Sequence, residues 1–466
     1  MELSERPAAS GVPVTVARPS MSRRLAALAT IGCLIGALAL LGFAISEGDV
    51  WRLPVVLVAA GAAVVGLWYA VSHRGLVRIV GALVAVAGVA AVLVVTVNGT
   101  YRGLPLALAI VVIAVSSLPA RYALQRDPRA VRAALISAPA GPRPNHPVLI
   151  MNMKSGGGKA ERYRLVDECR ARGIEAIVLQ RGDDLLTLAA DAIARGADVI
   201  GMAGGDGSQA LVATVASERG IPHVCVPAGT RNHFALDLGL DRDDVVGALD
   251  AFHDGLERRV DLARVNGRVF VNNASMGLYA KIVQSGAYRD AKLQTAADLL
   301  PDMLGPEARP FDLRFVGPDG SEWPSAHLVM VSNNPYELDH LIGRGTRERM
   351  DLGTLGLVAV RIANSAEAVR FVGLEAAGRI RSFRGWLEWD APLFRVDSSE
   401  PIEIGIDGEA LLLDPPLNFE SLPGALRVRI PRHAPGLSPA ATSVRLTTST
   451  LRDLMLTAAG RSVDPR

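Results

Sequence analysis

The segment Ala197-Asp-Val-Ile-Gly-Met-Ala203, followed by Gly204-Gly-Asp-Gly-Ser208, decides the fold class of this chain. The first part is an apolar run typical of a buried strand, and Gln209–Arg219 has helical spacing. A strand, a glycine-rich turn and a helix form the unit in which backbone N–H groups and a helix N-terminus face an anion. Within the turn, Ser208 can cap the helix or contact a phosphate, and Asp206 can address a metal or a hydroxyl. A tight turn with Asp206 as a simple cap is the alternative.

Two similar units flank this one along the chain. The strand Pro147–Met153 runs into Lys154-Ser-Gly-Gly-Gly-Lys159, and the strand His223–Val226 runs into Pro227-Ala-Gly-Thr230. Alternating strands and helices predict a mostly parallel sheet, whose ligand crevice lies at the carboxyl ends of the strands. We therefore expect all three loops to meet there and to form a nucleotide-binding α/β domain over residues 147–258.

Composition sets the boundaries of this interpretation. At about 150 residues per domain, 466 residues predict two to four domains. With 49 Lys and Arg against 47 Asp and Glu, no bulk charge favours a nucleic acid partner. Half of the residues are hydrophobic, which excludes a disordered chain. The three cysteines have no paired spacing, which argues against a disulfide framework or a zinc ribbon and suits a reducing compartment.

The apolar excess is concentrated before residue 121. Four successive segments contain no charged residue, each close to the roughly 20 residues that a membrane-crossing helix needs: Leu25–Ser46, Leu53–Ser72, Ile79–Val97 and Gly103–Ala120. They predict four transmembrane helices over residues 25–120, after a cytoplasmic tail of residues 1–24. The alternative is a set of buried helices in a soluble core.

Arginines predict the orientation of these helices. They are concentrated before the first segment, between the second and third, and after the fourth, whereas the two other loops hold one each. The positive-inside rule then places both termini, and with them the α/β domain, on the cytoplasmic side of the cell membrane. Because the segments carry no charge, they predict a multi-pass anchor rather than a transporter.

The remaining chain divides into a linker and a second domain. Residues 121–146 are basic and proline-rich, which is typical of a semi-rigid linker. From residue 259 to 431, short alternating runs and a two-residue Asn266-Gly267 turn predict a β-rich, sandwich-like domain. A tail covers residues 432–466 and includes the predicted short helix Ser449–Ala459.

Several motifs recur in the order found in one known family. They are Asn152-x-x-Ser155-Gly156, Gly204-Gly-Asp-Gly-Ser208, Pro227-x-Gly-Thr230-x-Asn232-x-Phe234, Asn272-Asn-Ala-Ser-Met-Gly277, Val331-Ser-Asn-Asn334 and Ile406-Asp-Gly-Glu409. In this order the chain resembles the diacylglycerol kinase catalytic family, which includes bacterial lipid kinases and sphingosine kinases. The resemblance covers about residues 148–431.

The resemblance implies an ATP-dependent kinase that uses Mg²⁺ and phosphorylates a lipid hydroxyl, such as that of diacylglycerol, in the membrane. Glu409 would be the base that accepts the proton of the lipid hydroxyl, and Asp206 would bind catalytic Mg²⁺. Asp351 corresponds to part of a segment that binds a structural Mg²⁺. The implied nucleotide-binding residues are Asn152, Ser155, Gly156, Gly204, Gly205, Asp206, Gly207, Ser208, Gly229, Thr230 and Asn232.

The chain also departs from the family pattern. Ala210 and Leu211 stand where Asn and Glu are common, His233 stands where Asp is usual, and Leu352 replaces the second Asp of an Asp-Asp-Gly segment. A catalytically weak or inactive nucleotide- or lipid-binding relative is therefore a second hypothesis. An NAD-kinase-like enzyme, which shares the Gly-Gly-Asp-Gly loop, is a third. The expected protein is an integral membrane protein, and its oligomeric state, a homodimer included, is left open.

Overall fold

The structure is a computed structural model of the whole chain. It describes residues 19–46, 58–59, 62–63, 65–66, 76–97, 104–124, 141–277, 310–338, 345–376, 379–442 and 450–461. By their contacts, residues 1–50, 99–137 and 442–466 form one compact unit, and residues 51–98 and 138–441 form another.

Three long helices precede the α/β region: α1 (Met21–Ser46), α2 (Leu76–Val97) and α3 (Leu104–Leu124). Among the described residues, one helical segment, Met21–Leu40, is long and apolar enough to cross a membrane. Ile79–Ala91 and Val111–Leu124 are shorter apolar stretches. Of the predicted second segment, Leu53–Ser72, the structure describes only residues 58–59, 62–63 and 65–66. The structure therefore supports one candidate span and does not support the count of four.

The C-terminal helix α12 (Thr450–Ala458) packs against α1 and α3 within the first unit. Its buried Leu454 belongs to a small cluster with Ala27, Ala120 and Ala123. Arg24 Nε donates to the carbonyl oxygen of Ala458, the last residue of α12, at 3.3 Å. A cation at this end of a helix stabilises it, because the last carbonyl groups have no partner within the helix. The predicted C-terminal helix is confirmed, within one residue at each end.

The first sheet of the second unit holds the α/β region. Its parallel part is built from β1 (Pro147–Met151), β2 (Glu175–Val178), β3 (Val199–Ala203) and β4 (His223–Val226), in the order β2-β1-β3-β4. The strands β1, β3 and β4 are buried throughout, as expected for parallel strands covered on both faces. The prediction of a parallel sheet with loops at its carboxyl edge is confirmed.

Helices connect these strands: α4 (Lys159–Arg162), α5 (Leu165–Ala171), α6 (Leu185–Ala194), α7 (Asp206–Glu218), α8 (His233–Asp237) and α9 (Ala251–Asp254). The helix expected after the first glycine loop is divided in two at Arg164, whose φ is +51°. The helix expected from Gln209 begins three residues earlier, at Asp206. The Gly-Gly-Asp-Gly sequence therefore contains the helix N-terminus itself.

A second sheet of six strands follows: β7 (Asn273–Gly277), β10 (Leu328–Asn333), β13 (Leu355–Val360), β14 (Trp386–Ala391), β16 (Ile402–Ile406) and β17 (Glu409–Leu413). Their order in the sheet is β14-β13-β10-β7-β16-β17. Two-stranded pairs are β8 (Phe315–Val316) with β9 (Glu322–Trp323), and β11 (Tyr336–Glu337) with β12 (Thr346–Arg347). Helices α10 (Ser365–Ala376) and α11 (Pro439–Thr442) complete this part.

The first sheet extends beyond the boundary predicted at residue 258. Next to β4 it continues with β18 (Leu417–Pro431), β5 (Gly255–Val265) and β6 (Arg268–Phe270), and β15 (Leu393–Val396) pairs with β18. Buried residues of β5, β6 and β18 share one core with those of the second sheet. The β-rich part is thus sandwich-like as expected, but one of its faces belongs to the same sheet as the α/β region.

Candidate active site

The three glycine loops meet at the carboxyl ends of β1, β3 and β4. A Cβ atom added at Gly229 would lie 2.9 Å from Gly205 N, and one at Gly156 would lie 2.8 Å from Gly229 O. Ser155 Oγ would be 3.9 Å from a Cβ at Gly205. The backbones of the three loops therefore touch, and at Gly156 and Gly229 only glycine fits. The predicted meeting of the loops is confirmed.

The first loop exposes consecutive backbone groups after β1. Asn152 N donates to Ala203 O at 3.0 Å, and Asn152 Oδ1 accepts from Lys154 N at 3.1 Å, which fixes the start of the loop. Gly156, Gly157 and Gly158 all have positive φ, at 56°, 71° and 80°. Three successive left-handed residues form a concave backbone that L side chains rarely adopt.

The second loop places the N-terminus of α7 at this meeting point. Gly205 is the residue before the helix, and no side chain caps it. The first N–H groups of a helix have no partner within the helix, and the helix dipole makes this end attractive to anions. α7 has 13 residues, so its N-terminus carries the dipole of a helix of several turns. The site combines this helix N-terminus with the backbone of the two other loops.

Asp206 links the second loop to the third. Its Oδ2 accepts from His233 N and its Oδ1 from Phe234 N, both at 3.1 Å, so its carboxylate holds the first turn of α8. The alternative interpretation of Asp206 as a helix cap is thus realised, on a neighbouring helix. Burial lowers the pKa of His233, and the charge of Asp206 opposes this shift.

Asn232 shapes the third loop. It is buried with φ of +52°; its Oδ1 accepts from Gly229 N, and its Nδ2 donates to Pro227 O and Gly229 O, all at 2.9 Å. Its amide therefore holds the loop backbone rather than facing outward. Thr230, which follows Gly229 in the same loop, is exposed.

Glu409 comes from the second sheet and lies against α7. A Cβ at Gly207 would be 2.8 Å from Glu409 Oε1, so the glycine leaves the space that this carboxylate fills. Glu409 Oε2 accepts from Arg268 Nη2 at 2.6 Å, and both side chains are partly exposed. The structure thereby brings Glu409 to the Gly-Gly-Asp-Gly loop, more than 200 positions away in the sequence.

Arg268 and Asp407 are site residues to which the sequence analysis gave no role. Asp407 has φ of +48°, and its carboxylate accepts the N–H groups of Val271, Asn272 and Asn273 at 2.8, 2.8 and 3.1 Å. Burial raises the pKa of Asp407 to about 7, and these N–H donors oppose the shift. The Asn266-Gly267 turn, which the structure confirms with φ of 43° and 87°, was the one signal that could have placed Arg268 on a hairpin.

Asp351 is paired with an arginine rather than with other possible metal ligands. Both of its carboxylate oxygens accept from Arg349, at 2.8 and 2.9 Å, and the adjacent Leu352 is 49% exposed. The following Gly353 N donates to buried Asp261. Within the described ranges, no group of three or more His, Cys, Asp or Glu residues could hold a metal ion. The residues present therefore do not fit the structural Mg²⁺ that was expected at Asp351.

A nucleotide-bound Mg²⁺ has different requirements. Magnesium commonly takes one or two carboxylates and completes its shell with phosphate oxygens and water. Asp206, next to the N-terminus of α7, can supply one such carboxylate beside its two bonds to α8. The residues present are compatible with Mg²⁺ that arrives with ATP.

The motifs, the helix terminus and the adjacent carboxylate can now be compared with known proteins. Residues 146–265 match the diacylglycerol kinase catalytic domain. A Pseudomonas aeruginosa (strain UCBPP-PA14) protein named "Probable lipid kinase YegS-like" is 27% identical over 275 residues, covering 58% of this chain and 82% of the relative. The diacylglycerol kinase of Bacillus subtilis (strain 168) is 28% identical over 237 residues, covering 48% of this chain and 76% of that protein.

A solved structure is also similar. The crystal structure of a diacylglycerol kinase from Bacillus anthracis str. Sterne aligns with a TM-score of 0.45 and 20% sequence identity, over 63% of this chain and 100% of the other. The sequence comparisons support the diacylglycerol kinase catalytic domain family, of the lipid kinase type, for the part of the chain that they cover.

Proposed function

We propose that this protein is a membrane-anchored lipid kinase, which transfers the γ-phosphoryl group of ATP to a lipid hydroxyl such as that of diacylglycerol. The observation that carries the proposal is the position of Glu409, a carboxylate directly beside the N-terminus of α7. A base for the acceptor and an anion-binding backbone for the donor are then adjacent. Phosphoryl transfer requires little beyond such alignment and charge neutralisation.

In the proposed reaction the loops around Gly156, Gly205 and Gly229 hold the ATP phosphates. Glu409 accepts the proton of the lipid hydroxyl while the hydroxyl oxygen forms a bond to the γ-phosphorus of ATP. The bond between the γ-phosphorus and the β-phosphate oxygen breaks, which releases ADP. Bound with the nucleotide at Asp206, Mg²⁺ would neutralise charge on the phosphates. Arg268 keeps the Glu409 carboxylate oriented through their ion pair.

The proposal is tested by labelling. We expect the purified full-length protein, incubated with γ-labelled ATP, Mg²⁺ and a total lipid extract, to transfer label to a lipid that loses it after phosphatase treatment. ATP binding without any labelled lipid would instead support the inactive relative. Labelling of added NAD rather than lipid would support the NAD-kinase-like alternative.

The substitution Asp206→Asn separates metal binding from capping. We expect turnover to fall by at least tenfold and to respond weakly to added Mg²⁺, while the fold and most of the ATP affinity remain. Loss of one accepted N–H bond at α8 costs about 1 kcal/mol of stability. Steady-state kinetics over a Mg²⁺ series and thermal melting measure the two effects.

Asp184→Asn is the matched control for this substitution. Asp184 caps α6 in the same manner, since its carboxylate accepts from Leu186 N and Thr187 N at 3.3 Å each, but it is exposed and outside the site. We expect the control to lose stability without losing turnover. Wild-type turnover in Asp206→Asn would reduce Asp206 to a cap.

The membrane anchor is part of the proposal. The helix Met21–Leu40 would hold the active site at the surface that contains its substrate. The arginine distribution supports a multi-pass anchor with the catalytic region in the cytoplasm. We expect topology reporters fused after Gly48 and Gly99 to report the outer side and one after Ala130 the inner side. An outer-side signal after Ala130 would contradict both this topology and access to cytoplasmic ATP.

A further inference from the structure

Arg347 is a fully buried arginine in the second unit. Its side chain is 0% exposed, and it forms a buried ion pair with Asp237, which is likewise almost inaccessible. Arg347 Nε donates to Asp237 Oδ2, and Arg347 N donates to Asp237 Oδ1, both at 2.8 Å. A buried ion pair is weak evidence of stabilisation, because desolvation offsets the Coulomb attraction. The other hydrogen bonds of Arg347 must therefore show which role this ion pair has.

The remaining donors of Arg347 reach in another direction. Arg347 Nη1 donates to Val271 O and to Asn333 O, both at 2.8 Å, and Nη2 donates to Asn272 Oδ1 at 2.7 Å. The planar guanidinium thus joins α8, which carries Asp237, to the chain at the start of β7 and the end of β10. Lysine, with one compact ammonium, cannot bond these separate acceptors at once.

On one side, this junction leads to Asp206. Asp237 is the last residue of α8, a helix of only five residues. The first two N–H groups of the same helix are held by the Asp206 carboxylate. Asp206 and Arg347 therefore fix the two ends of one short helix.

On the other side, the junction leads to Glu409. Val271 and Asn272 bind Arg347 through their oxygen atoms, and their backbone N–H groups donate to the carboxylate of Asp407. Asp407 N in turn donates to Asn273 O at 3.0 Å. Asp407 and Gly408 form the turn that ends at Glu409, so the backbone held by Arg347 also holds the hairpin that carries the base.

We propose that Arg347 is a positioning residue, which sets Glu409 against the nucleotide loop by joining the two hydrogen-bond paths that end at Asp206 and Glu409. This inference rests on the proposed lipid kinase function. Misplacement of a reacting group by about 1 Å can cost roughly a hundredfold in rate. A loosened junction should therefore affect kcat more than the binding of either substrate.

The variant Arg347→Lys tests the inference in the full-length protein. It retains a charge for Asp237 but loses the bonds to the chain before β7. We expect kcat to fall by about 10- to 100-fold, with KM for ATP within about twofold of wild type. Arg349→Lys, two residues away in an exposed ion pair, is the matched control and should retain wild-type kcat.

Hydrogen–deuterium exchange provides a readout that does not depend on chemistry. In Arg347→Lys we expect faster amide exchange both in residues 204–208 and in residues 404–413, with no such change in Arg349→Lys. A lower melting temperature with unchanged kcat and unchanged exchange at these two segments would show a merely structural role and overturn the inference. Faster exchange in only one segment would overturn it too, because the paths would then be independent.

A milder variant covers the case in which Arg347→Lys does not fold. Asn272→Ala removes one acceptor of Arg347 and keeps the ion pair with Asp237. We expect a smaller fall in kcat and faster exchange in residues 404–413; wild-type values of both would overturn the inference. If the wild-type protein labels no lipid, the proposed function fails, and the exchange measurements still decide whether Arg347 couples the two segments.

Discussion

Replacing Glu409 with glutamine is expected to reduce kcat by about 10²–10⁴-fold, the contribution typical of a general base. Glutamine retains the shape that fills the space beside Gly207 but cannot accept the proton of the lipid hydroxyl. KM for ATP should change little, because the loops proposed to hold the phosphates come from other strands. Steady-state kinetics with ATP and lipid varied separately provide the measurement.

Glu403→Gln is the control for this prediction. Glu403 is exposed on β16, the strand paired with β17, so the substitution removes the same charge from the same hairpin. We expect its kcat to equal that of wild type. A loss of ATP affinity in Glu409→Gln would show that Glu409 shapes the nucleotide site. Full activity would place the base elsewhere, and Asp407 would be the next residue to test.

Gly156→Ala is expected to abolish measurable ATP binding. A Cβ at this position would lie 2.8 Å from Gly229 O and even closer to Ala228 O, so the first loop would have to separate from the third. The residue also has φ of +56°, which costs a non-glycine residue about 1–2 kcal/mol. Titration with a fluorescent ATP analogue measures the loss of affinity, and circular dichroism verifies the fold.

The next residue provides a matched control. Gly157 has φ of +71°, so alanine there incurs a similar backbone strain, but its Cβ would have no atom within 4 Å. We expect Gly157→Ala to bind ATP within a few-fold of wild type. Equal losses in both variants would mean that backbone strain, rather than the contact between loops, governs binding.

The features that sequence reasoning predicted well are local ones. Each of the three loops lies between a strand and a helix within a short stretch that contains at least one glycine, and the Asn266-Gly267 hairpin is two residues of turn chemistry. Hydrogen bonds between distant segments were not predictable in this way. Arg347 and Asp237 are 110 positions apart, and neither belongs to a periodic pattern or a motif.

The family resemblance assigned a role to Glu409 that no local pattern indicates. Its assignment of Asp351 to a metal site does not fit the residues around Asp351. The motif Ile406-Asp-Gly-Glu409 led to a carboxylate that the structure brings to the helix N-terminus. At Asp351 the chain departs from the family pattern at Leu352, and the structure pairs Asp351 with Arg349. The change in the neighbouring residue was the signal that the metal ligands were not all retained.

The membrane region shows a limit of predicting membrane spans from composition alone. Charge-free length predicted four spans, whereas one described segment, Met21–Leu40, meets the requirements of a crossing helix. Most of the predicted second span lies outside the described residues, so the number of crossings remains a prediction for the topology reporters.

The strand β18 has a consequence for how this protein can be divided. It pairs in parallel with β4 at His223 and Val224, and antiparallel with β5 along most of its length. A fragment ending at residue 258 would lose β18 and leave the backbone of β4 open on one side, and exposed strand edges recruit other chains. Gene truncations, split-protein fusions and exchange of catalytic halves between homologues should therefore fail at that point. The region from β1 through Pro431 therefore has to be expressed as one piece.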